Sequence, residues 1–504
     1  WGLIFIFIIF FFKCIYHSLC GPSRVSMLTS RRPDSTRLYD VRSYWRRAAG
    51  NYSTLPQLFK EQGYMTISLG KVFHPGISSN HTDDYPYSWS KKPYHPSTQK
   101  YKNAKVCANG DQLIIHSANV VCPVNVSNVP EGTLPDIQTT NQAQLLLHQF
   151  AKIRTKQPFF LAVGYHKPHI PLKYPKEYKR LYSLSDVGLA PDHLVPSGLP
   201  PIAYNPWMDI RARDDVAALN VSFPYGPLPK HFQKRIRQSY YAAVSYIDAE
   251  VGRLLSVLDK TGQAQNTIIA FTSDHGWSLG EHGDWAKYSN FNVATRVPLI
   301  FFIPGLTSTS NNADTPVFPF LDVFNSSLTH QSPGKMSACP VELLDVFPTL
   351  IELAGLPTIP TCPRPSFAYQ VCTEGRSLAH LITQDEILVR QLGFAFSQYP
   401  RPSDQPQANS DQPALADIRF LGYSLRSSNY RYTQWVPFDP NTWRCNFSVV
   451  HASELYLLNS DPGEDHNVLA PRPYNVTQYT KETAEIVNWV SRVVKRMIGE
   501  SGYY

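Results

Sequence analysis

The sequence predicts an α/β fold, and three observations lead to that prediction. Over residues 20–360, segments with helical periodicity alternate with short apolar strands, which is typical of a large, mainly parallel sheet flanked by helices. Clusters of reactive residues follow four of the predicted strands, at the edge where open α/β sheets bind ligands. Beyond about residue 385, strands follow one another without helices between them, which indicates a smaller α+β subdomain with an antiparallel sheet.

The individual elements are predicted from local patterns. β-branched and apolar runs predict strands at 64–69, 158–163, 267–272, 297–303, 392–397, 418–425, 430–436 and 453–458. Apolar residues at helical spacing predict helices at 54–62, 139–154, 231–260, 341–354 and 479–498. Residues 77–136 and the Pro-rich segment 171–229 are predicted to be long irregular connections.

The composition is that of a large globular protein. The chain has 504 residues, which favours two domains or subdomains, and 17% of them are charged and 43% hydrophobic. The formal net charge of +8 is spread along the chain without a run of five like charges, so we expect no nucleic-acid partner. A broadly basic surface would suit an anionic substrate such as a sulfated polysaccharide.

Cysteines and glycosylation sequons indicate the secretory route. Asn-X-Ser/Thr occurs seven times, at Asn51, Asn80, Asn125, Asn220, Asn325, Asn446 and Asn475. Among eight cysteines, the pairs Cys107–Cys122 and Cys362–Cys372 are close in sequence and flank polar loops, so we predict two local disulfides. Residues 1–12 are almost wholly apolar but too short for a confident transmembrane helix, and we expect no membrane anchor.

Two clusters of candidate site residues follow predicted strands. Asp274 and His275 come directly after an apolar strand, and a carboxylate there suits a hard divalent cation such as calcium; the alternative is an aspartate that caps a turn. Lys71 and His74 share a turn bounded by glycines. The lysine can neutralise sulfate oxygens and the histidine can donate a hydrogen bond to them.

Two further loops complete the predicted site. His169 follows the strand at 158–163 and could act as a general acid that protonates a departing sugar oxygen. Lys287 lies in a glycine-containing loop that can fold back over the same edge of the sheet. Taken singly, each is more often an ordinary loop residue, so the combination carries the prediction.

Residues 20–31 read CGPSRVSMLTSR, and the spacing of Cys20, Pro22 and Arg24 resembles the signature of type I sulfatases. In that family the cysteine is oxidised to formylglycine, whose hydrate attacks sulfur. Arg24 would lie one helical turn beyond Cys20 on the same face. Ser30 stands where the family pattern has glycine. The alternative for Cys20 is a disulfide or a buried structural cysteine.

Longer runs strengthen the resemblance from about Ser18 to at least Asp465. These runs are GKVFHPG at 70–76, GYHKPHIP at 164–171, SDHGW at 273–277 and SQYPRPSD at 397–404. The resemblance implies an alkaline-phosphatase-like sulfatase fold with a large mixed sheet. It implies hydrolysis of the 2-O-sulfate of non-reducing-end iduronate in dermatan and heparan sulfate, in the lysosome, after maturation by the formylglycine-generating enzyme.

The resemblance also assigns roles at the site. It implies one calcium ion held by Asp274, His275 and the modified Cys20, with the remaining catalytic and sulfate-binding residues being Arg24, Lys71, His74, His169 and Lys287. The sugar carboxylate would need further cations. We expect Arg401 to supply one, and His74 and His169 to add charge in an acidic compartment.

One part of the family pattern has no counterpart in this sequence. Sulfatases carry paired aspartates on a first strand before the cysteine motif, so we interpret residues 1–17 as a fragment or signal-like segment and expect the first strand to be missing. Residues 18–388 would form the catalytic domain and 389–504 the C-terminal subdomain. Two alternatives stay open: a phosphate or phosphonate ester hydrolase of the same superfamily, and a catalytically inactive glycan-binding relative.

Overall fold

The computed structural model describes residues 2–5, 11–15, 18–109, 112–153, 157–307, 316–318, 322–324, 336–363, 366–383, 393–470 and 481–494. Its α-helices are α1 Cys20–Thr29, α2 Pro33–Thr36, α3 Trp45–Ala48, α4 Leu55–Glu61, α5 Pro135–Lys152, α6 Met208–Arg211, α7 Asp214–Ala217, α8 Lys230–Lys260, α9 Asn292–Thr295, α10 Val346–Leu353, α11 Ala379–Thr383 and α12 Lys481–Val494.

The strands begin near the start of the described chain and end in its C-terminal part. They are β1 Gly2–Phe5, β2 Phe11–Ile15, β3 Met65–Gly70, β4 Cys107–Asn109, β5 Gln112–Ser117, β6 Val121–Val124, β7 Phe159–Gly164, β8 Leu172–Pro175, β9 Thr267–Thr272, β10 Ser278–Leu279, β11 Trp285–Ala286, β12 Arg296–Val297, β13 Leu299–Phe302, β14 Met336–Glu342, β15 Phe394–Arg401, β16 Phe420–Ser427, β17 Tyr430–Asp439, β18 Arg444–Cys445 and β19 Ala452–Leu457.

The central sheet confirms the predicted α/β class. Five strands lie in the order β13-β9-β1-β7-β3. The pairs β9–β1, β1–β7 and β7–β3 are parallel, whereas β13 runs antiparallel to β9 at one edge. The sheet is therefore mixed and mainly parallel, and the carboxyl ends of β3, β7 and β9 meet at one edge.

The expectation that a first strand is missing is wrong. Residues 2–5 form β1 in the middle of the sheet, where Leu3 pairs with Phe160 of β7 and with Ile268 of β9. A short run of wholly apolar residues suits a strand that is covered on both faces. What this strand lacks is the expected acidic pair, since residues 1–19 contain no Asp or Glu.

Alternation along the strands divides the core into two layers. In β7, Leu161 and Val163 belong to a core cluster with α5 and α8, while Phe160 and Ala162 belong to a second cluster with α1, α4 and α10. Successive residues of a strand point to opposite faces of its sheet. Helices therefore cover both faces, and the edge formed by the strand ends is left for the site.

The C-terminal part contains an antiparallel sheet in the order β15-β16-β17, and β17 also pairs with β18 and β19. Its apolar face includes Tyr423, Tyr432 and Leu455, and Val490 and Val494 of α12 pack against it. Tyr39, from the segment after α2, lies in the same cluster, so this sheet packs directly against residues close to α1.

Several predicted boundaries differ from the structure. Helix α5 begins at Pro135, because proline suits the first turn of a helix, and the run 297–303 is divided by Pro298 into β12 and β13. The segment 341–354 contains the end of β14 before α10. The connection 171–229 carries β8, α6 and α7. The predicted start of a strand at 392 lies outside the described residues.

Both predicted disulfides are confirmed. Cys107 and Cys122 are joined with an S–S distance of 2.07 Å, and Cys362 and Cys372 with one of 2.20 Å. Five of the glycosylation sequons lie on exposed residues, namely Asn51, Asn80, Asn125, Asn220 and Asn446, whereas Asn325 and Asn475 lie outside the described residues. None of the described helices is both long and apolar enough to cross a membrane.

Candidate active site

Cys20 lies at the centre of the edge where the strands end. It is the first residue of α1, is 3% exposed, and forms no disulfide. The alternative of a disulfide is therefore excluded for this residue. The loops that follow β3, β7 and β9 bring the remaining candidate residues around its side chain.

Three nitrogen atoms converge on the Cys20 sulfur. Lys287 Nζ lies 3.1 Å from Sγ, His275 Nε2 lies 3.1 Å from it, and Lys71 Nζ lies 3.7 Å from it. Burial alone would raise the pKa of the thiol, but the positive charges of Lys287 and Lys71 outweigh burial and lower the pKa well below its usual value. The pocket around position 20 thus favours a negatively charged group.

Lys71 reaches Cys20 because two strand ends approach closely. Lys71 N donates to Gly164 O at 2.8 Å. A Cβ atom at Gly70 would lie 2.2 Å from Gly164 O, and one at Gly164 would lie 2.0 Å from Lys71 O. Only glycine fits at both positions, so the ends of β3 and β7 can meet beside the site.

Asp274 and Arg24 form an ion pair. Arg24 Nε donates to Asp274 Oδ2 at 2.8 Å, and its Nη1 donates to the carbonyl oxygens of Lys71 and Val72. Burial would raise the pKa of Asp274, but the Arg24 charge keeps it below the usual value. Arg24 therefore lies at the site as predicted, while its donors hold Asp274 and the Lys71 loop instead of contacting Cys20.

The imidazole of His275 has a defined orientation. Nδ1 lies 2.9 Å from Gly276 O, so it donates its proton to this carbonyl and leaves Nε2 to face Cys20. Nε2 is also 3.5 Å from Asp274 Oδ2. Cys20, Asp274 and His275 each offer one ligand atom within 4.8 Å of the others, and no other such group of three occurs among the described residues.

Lys287 is held by an unusual backbone. It is 2% exposed and lies between Ala286 and Tyr288, whose φ angles of 70° and 77° fall in the left-handed region. Such angles disfavour residues with a Cβ atom and occur often at functional sites. Asn205 stabilises the arrangement, since its Nδ2 donates to Lys287 O at 2.6 Å. The segment 171–229 thus positions the lysine.

The surroundings of both predicted site histidines favour the neutral imidazole. His169 Nδ1 lies 2.7 Å from Ile170 O, and its Nε2 lies 3.4 Å from Lys287 Nζ. Burial and the charges of Lys287 and Lys71 lower the pKa of His169 well below its usual value. Burial and the Lys71 charge lower the pKa of His74 to about 4. These pKa shifts oppose the expectation that both histidines gain charge in an acidic compartment.

Arg401 is also placed differently from the prediction. It is 1% exposed, and its guanidinium donates to carbonyl oxygens of Ile202 at 2.9 Å and Tyr288 at 2.8 Å. These contacts join β15 to the segment before α6 and to the Lys287 loop. Arg401 is therefore a structural residue that cannot reach a sugar carboxylate.

Sequence reasoning missed Trp277. Its ring centroid lies 5.9 Å from that of His169, and Lys287 Nζ lies 5.6 Å from the Trp277 ring. Trp277 lines a cavity of about 530 Å³ together with Arg24, Lys71 and Asp274. Its position two residues after His275 is the signal that could have identified it, since aromatic faces commonly bind sugar rings and cations.

Comparison with known proteins identifies relatives of this chain. The family model described as Sulfatase matches residues 9–356. The human protein named Iduronate 2-sulfatase is 60% identical over 460 residues, which cover 90% of this chain and 82% of the human protein. Its mouse counterpart of the same name is 57% identical over 92% of this chain and 83% of the mouse protein.

Solved structures share the fold at low sequence identity. A phosphonate monoester hydrolase from Silicibacter pomeroyi matches with a TM-score of 0.61 and 19% identity, over 98% of this chain and 88% of that one. A protein described as a 2-O GAG sulfatase matches with a TM-score of 0.57 and 18% identity, over 97% of this chain and 85% of that one. These similarities show the fold alone.

Proposed function

The chain belongs to the sulfatase family, and from that premise we propose that it hydrolyses the 2-O-sulfate ester of non-reducing-end iduronate in dermatan sulfate and heparan sulfate. The convergence of Lys287, Lys71 and His275 on Cys20 carries this proposal. The identity of 60% to a human protein named for this activity supports the choice of sugar. The substrate class is thus a sulfated glycosaminoglycan.

Cys20 is proposed as the precursor of the nucleophile, formylglycine. Its Sγ atom stands where the oxygen atoms of the modified residue would lie, and three nitrogens that can donate to an anionic oxygen surround it. This environment fits the group. Once formed, an aldehyde hydrate supplies one hydroxyl that attacks sulfur and a second that expels sulfate as the aldehyde re-forms.

Lys71 and Lys287 are proposed to bind the sulfate. Two ammonium groups on opposite loops can neutralise the charge that develops on the sulfate oxygens during attack. Because Lys287 is almost fully buried and its backbone is held by Asn205, its charge needs little reorganisation before the reaction. Arg24 contributes by fixing Asp274 and the Lys71 loop.

His169 is proposed to face the leaving sugar oxygen. Its Nδ1 proton is held by the Ile170 carbonyl, so Nε2 is the atom that can exchange a proton with substrate or with Lys287. A neutral imidazole must first gain a proton before it can act as an acid, and the negative charge of a bound sulfate favours that gain. His74 keeps its proposed role as a neutral donor to sulfate.

The expected calcium ion does not fit the described residues. Calcium binds six to eight oxygen ligands, whereas the candidate group offers one carboxylate, one imidazole and one thiol. The carboxylate already pairs with Arg24, and two lysines lie beside the thiol. The roles proposed for Lys71, Lys287 and His169 therefore do not include binding a metal ion.

The cellular context is proposed from the sequence and the family. Exposed sequons and two disulfides support passage through the secretory route, and a lysosomal location agrees with glycosaminoglycan degradation. Oxidation of Cys20 would need the formylglycine-generating enzyme as a transient partner. Residues 18–388 and 389–504 are retained as the proposed catalytic domain and C-terminal subdomain.

Comparison of three substrates tests the proposal. They are a terminal 2-O-sulfated iduronate, a 6-O-sulfated N-acetylglucosamine and a phosphonate monoester, each incubated with protein that was made together with the formylglycine-generating enzyme. We expect kcat/KM to be roughly tenfold to a hundredfold higher for the iduronate than for the neutral sugar. Equal turnover of the two sugars would exclude uronate recognition. Faster turnover of the phosphonate would favour the alternative hydrolase, and no turnover the inactive relative.

A further inference from the structure

We propose that Lys102 and Arg213, with Lys173 as the residue that positions the Lys102 backbone, form a basic rim that binds a second anionic group of the substrate, on a sugar beyond the one that carries the scissile ester. The group is a sulfate or a carboxylate, since both present anionic oxygens to Lys102 and Arg213. This inference rests on the proposed function, because only a saccharide chain would extend from Cys20 to the rim.

Lys173 fixes the backbone of the rim. It lies on β8 and is 8% exposed, and its Nζ donates to the carbonyl oxygens of Tyr101 at 3.0 Å and Lys102 at 3.2 Å. A buried ammonium group needs such partners, because burial without them is costly. Lys173 thus acts as a positioning residue, and the Lys102 side chain extends from a fixed loop with access to solvent.

Arg213 approaches the same loop from the other side. Its Nη1 donates to Asn103 Oδ1 at 3.0 Å. The adjacent carboxylates of Asp214 and Asp215 form no ion pair with Arg213 among the described residues, and they accept from backbone amides, including those of Ala118 at 2.7 Å and Val120 at 2.8 Å. Two segments that are far apart in the sequence therefore meet where Arg213 bonds to the residue that follows Lys102.

The positive charges of the rim and the site act on one another. The pKa of Lys102 is lowered to about 8, mainly because its ammonium group is partly desolvated. The positive charges of Lys71, Arg213 and Lys287 lower it further. Within the described chain, neither Lys102 nor Arg213 forms an ion pair with a carboxylate. The rim lies beside the Lys287 loop, because Asp209, four residues before Arg213, accepts a hydrogen bond from Tyr288, the residue after Lys287.

A group of like charges without counter-charges destabilises the folded protein unless an anion binds. The charges of Lys102 and Arg213 act on Asp209, but burial raises the pKa of this carboxyl, which accepts from Tyr288 Oη at 2.6 Å and forms no ion pair with either cation among the described residues. The rim cations therefore keep their capacity for an external anion. A saccharide whose terminal sulfate lies at Cys20 would pass them as it leaves the site.

Binding measurements test this inference without relying on turnover. The protein carries Cys20→Ala, so that no ester is cleaved, and calorimetry measures Kd for four saccharides. These are the 2-O-sulfated iduronate alone, its disaccharide with an unsulfated hexosamine, the same disaccharide with a 6-O-sulfate on the hexosamine, and a trisaccharide that extends the first disaccharide by an unsulfated uronate. The variants are Lys102→Gln and Arg213→Gln, and the matched control is Lys105→Gln, an exposed lysine of the same loop.

We expect each rim variant to weaken binding of one longer anionic saccharide about tenfold, while binding of the monosaccharide changes less than about twofold. Weaker binding of the disaccharide that carries the 6-O-sulfate identifies sulfate as the bound group. Weaker binding of the trisaccharide identifies carboxylate. The difference in Kd between each rim variant and the protein with an unsubstituted rim should shrink as the salt concentration increases, since partly exposed charges are screened. Lys105→Gln should change no Kd.

Two results would overturn the rim and leave the proposed function intact. The first is that neither variant changes the Kd of any saccharide. The second is that each variant weakens binding of the monosaccharide as much as that of the longer saccharides, which would place the cations at the scissile sulfate. If the protein without a rim substitution failed to bind even the monosaccharide, that result would instead count against the proposed function. Because Lys102 reaches solvent, its variant should fold, which unchanged circular dichroism would verify.

Discussion

Lys287 Nζ lies 3.1 Å from Cys20 Sγ, although the two residues are 267 positions apart in the chain. The contact depends on a left-handed backbone on both sides of the lysine and on the Asn205 side chain that holds its carbonyl. Among the residues that the structure describes, no Asp or Glu side chain forms an ion pair with this buried ammonium group. Its natural partner is an anion bound at position 20.

The first prediction concerns the chemical state of Cys20. Protein produced with the formylglycine-generating enzyme should contain formylglycine at position 20, and protein with Cys20→Ser should have no measurable turnover, because a serine sulfate cannot collapse to an aldehyde. Peptide mass spectrometry and a sulfate-release assay measure the two outcomes. A fully active preparation that contains only the thiol would contradict the prediction.

Removal of the Lys287 charge should affect the chemical step. We expect Lys287→Gln to lower kcat by about 10²–10³-fold, as for loss of one preorganised group that stabilises developing negative charge. Lys91→Gln, which alters an exposed lysine, is the control and should leave kcat unchanged. If Lys287→Gln, with its folding verified by circular dichroism, had the same kcat as the unsubstituted protein, a direct role of Lys287 in the chemical step would be excluded.

Much of the site could be predicted because its residues follow strands. Asp274 comes directly after β9 and Lys71 after β3, and parallel strands bring their carboxyl ends to one edge. The helix from Cys20 to Arg24 followed from local spacing alone. These predictions depend on short-range sequence patterns, which the fold preserves.

The predictions that failed depend on contacts between distant segments. Arg401 follows a plausible motif, but carbonyl groups of the segment before α6 bury its guanidinium. The charge of His169 depends on two lysines that approach from different loops. A single sequence without known contacts does not indicate where a side chain is desolvated, and so it cannot indicate such pKa changes.

Metal binding should be weak in this chain. We expect calorimetry to detect no stoichiometric calcium binding at up to about 1 mM calcium, because one carboxylate cannot replace six to eight oxygen ligands. Asp274→Asn should therefore leave the titration unchanged. Tight binding at one site per chain, lost in Asp274→Asn, would show that further ligands complete the group.

Ser30 replaces a glycine of the family pattern, and its φ of 51° lies in the left-handed region at the end of α1. Its Oγ donates to Leu344 O at 2.7 Å and accepts from Gly375 N at 3.2 Å. Ser30→Ala should destabilise the protein by about 1–3 kcal/mol, because both hydrogen bonds are lost and the strained backbone stays.

Ser30→Gly is the matched comparison, since it loses the same hydrogen bonds but relieves the backbone. It should be more stable than Ser30→Ala by about 1 kcal/mol, the reverse of the usual order within a helix. Urea denaturation of the three proteins measures the difference. Greater stability of the alanine variant would mean that the backbone strain is negligible.

A buried carboxyl cluster beside the Lys287 loop should make stability depend on pH. Asp411 is 4% exposed, and its Oδ2 accepts from Asp209 N at 3.3 Å. Neither oxygen of Asp284 has a hydrogen-bond partner among the described residues. Arg401, the neighbouring cation, directs its donors to backbone carbonyls. The charge of Arg401 favours the ionised forms of Asp284 and Asp411, but burial outweighs it and raises the pKa of both carboxyl groups.

The pKa of Asp411 is raised to about 8, mainly by burial and to a smaller extent by repulsion from the Asp209 carboxylate. In the unfolded chain this carboxyl titrates near pH 4. The folded state thus holds the proton more tightly, and the stability that this proton contributes is fully present below about pH 4 and is lost as pH rises towards 8. The free energy of unfolding should fall by up to roughly 1.4 kcal/mol per pH unit in this window.

Asp411→Asn mimics the protonated carboxyl, because its amide is uncharged and its oxygen can still accept from Asp209 N. We expect the variant to flatten the decline in stability between pH 5 and 8 and to raise Tm at pH 7.5 above that of the unsubstituted protein. Asp417→Asn, which alters an exposed carboxylate nearby, should leave the profile unchanged. Thermal unfolding across the pH range measures both profiles. An Asp411→Asn profile parallel to that of the unsubstituted protein would show that the proton at Asp411 does not control stability, whereas a flattened profile would account for a fold that is most stable in an acidic compartment.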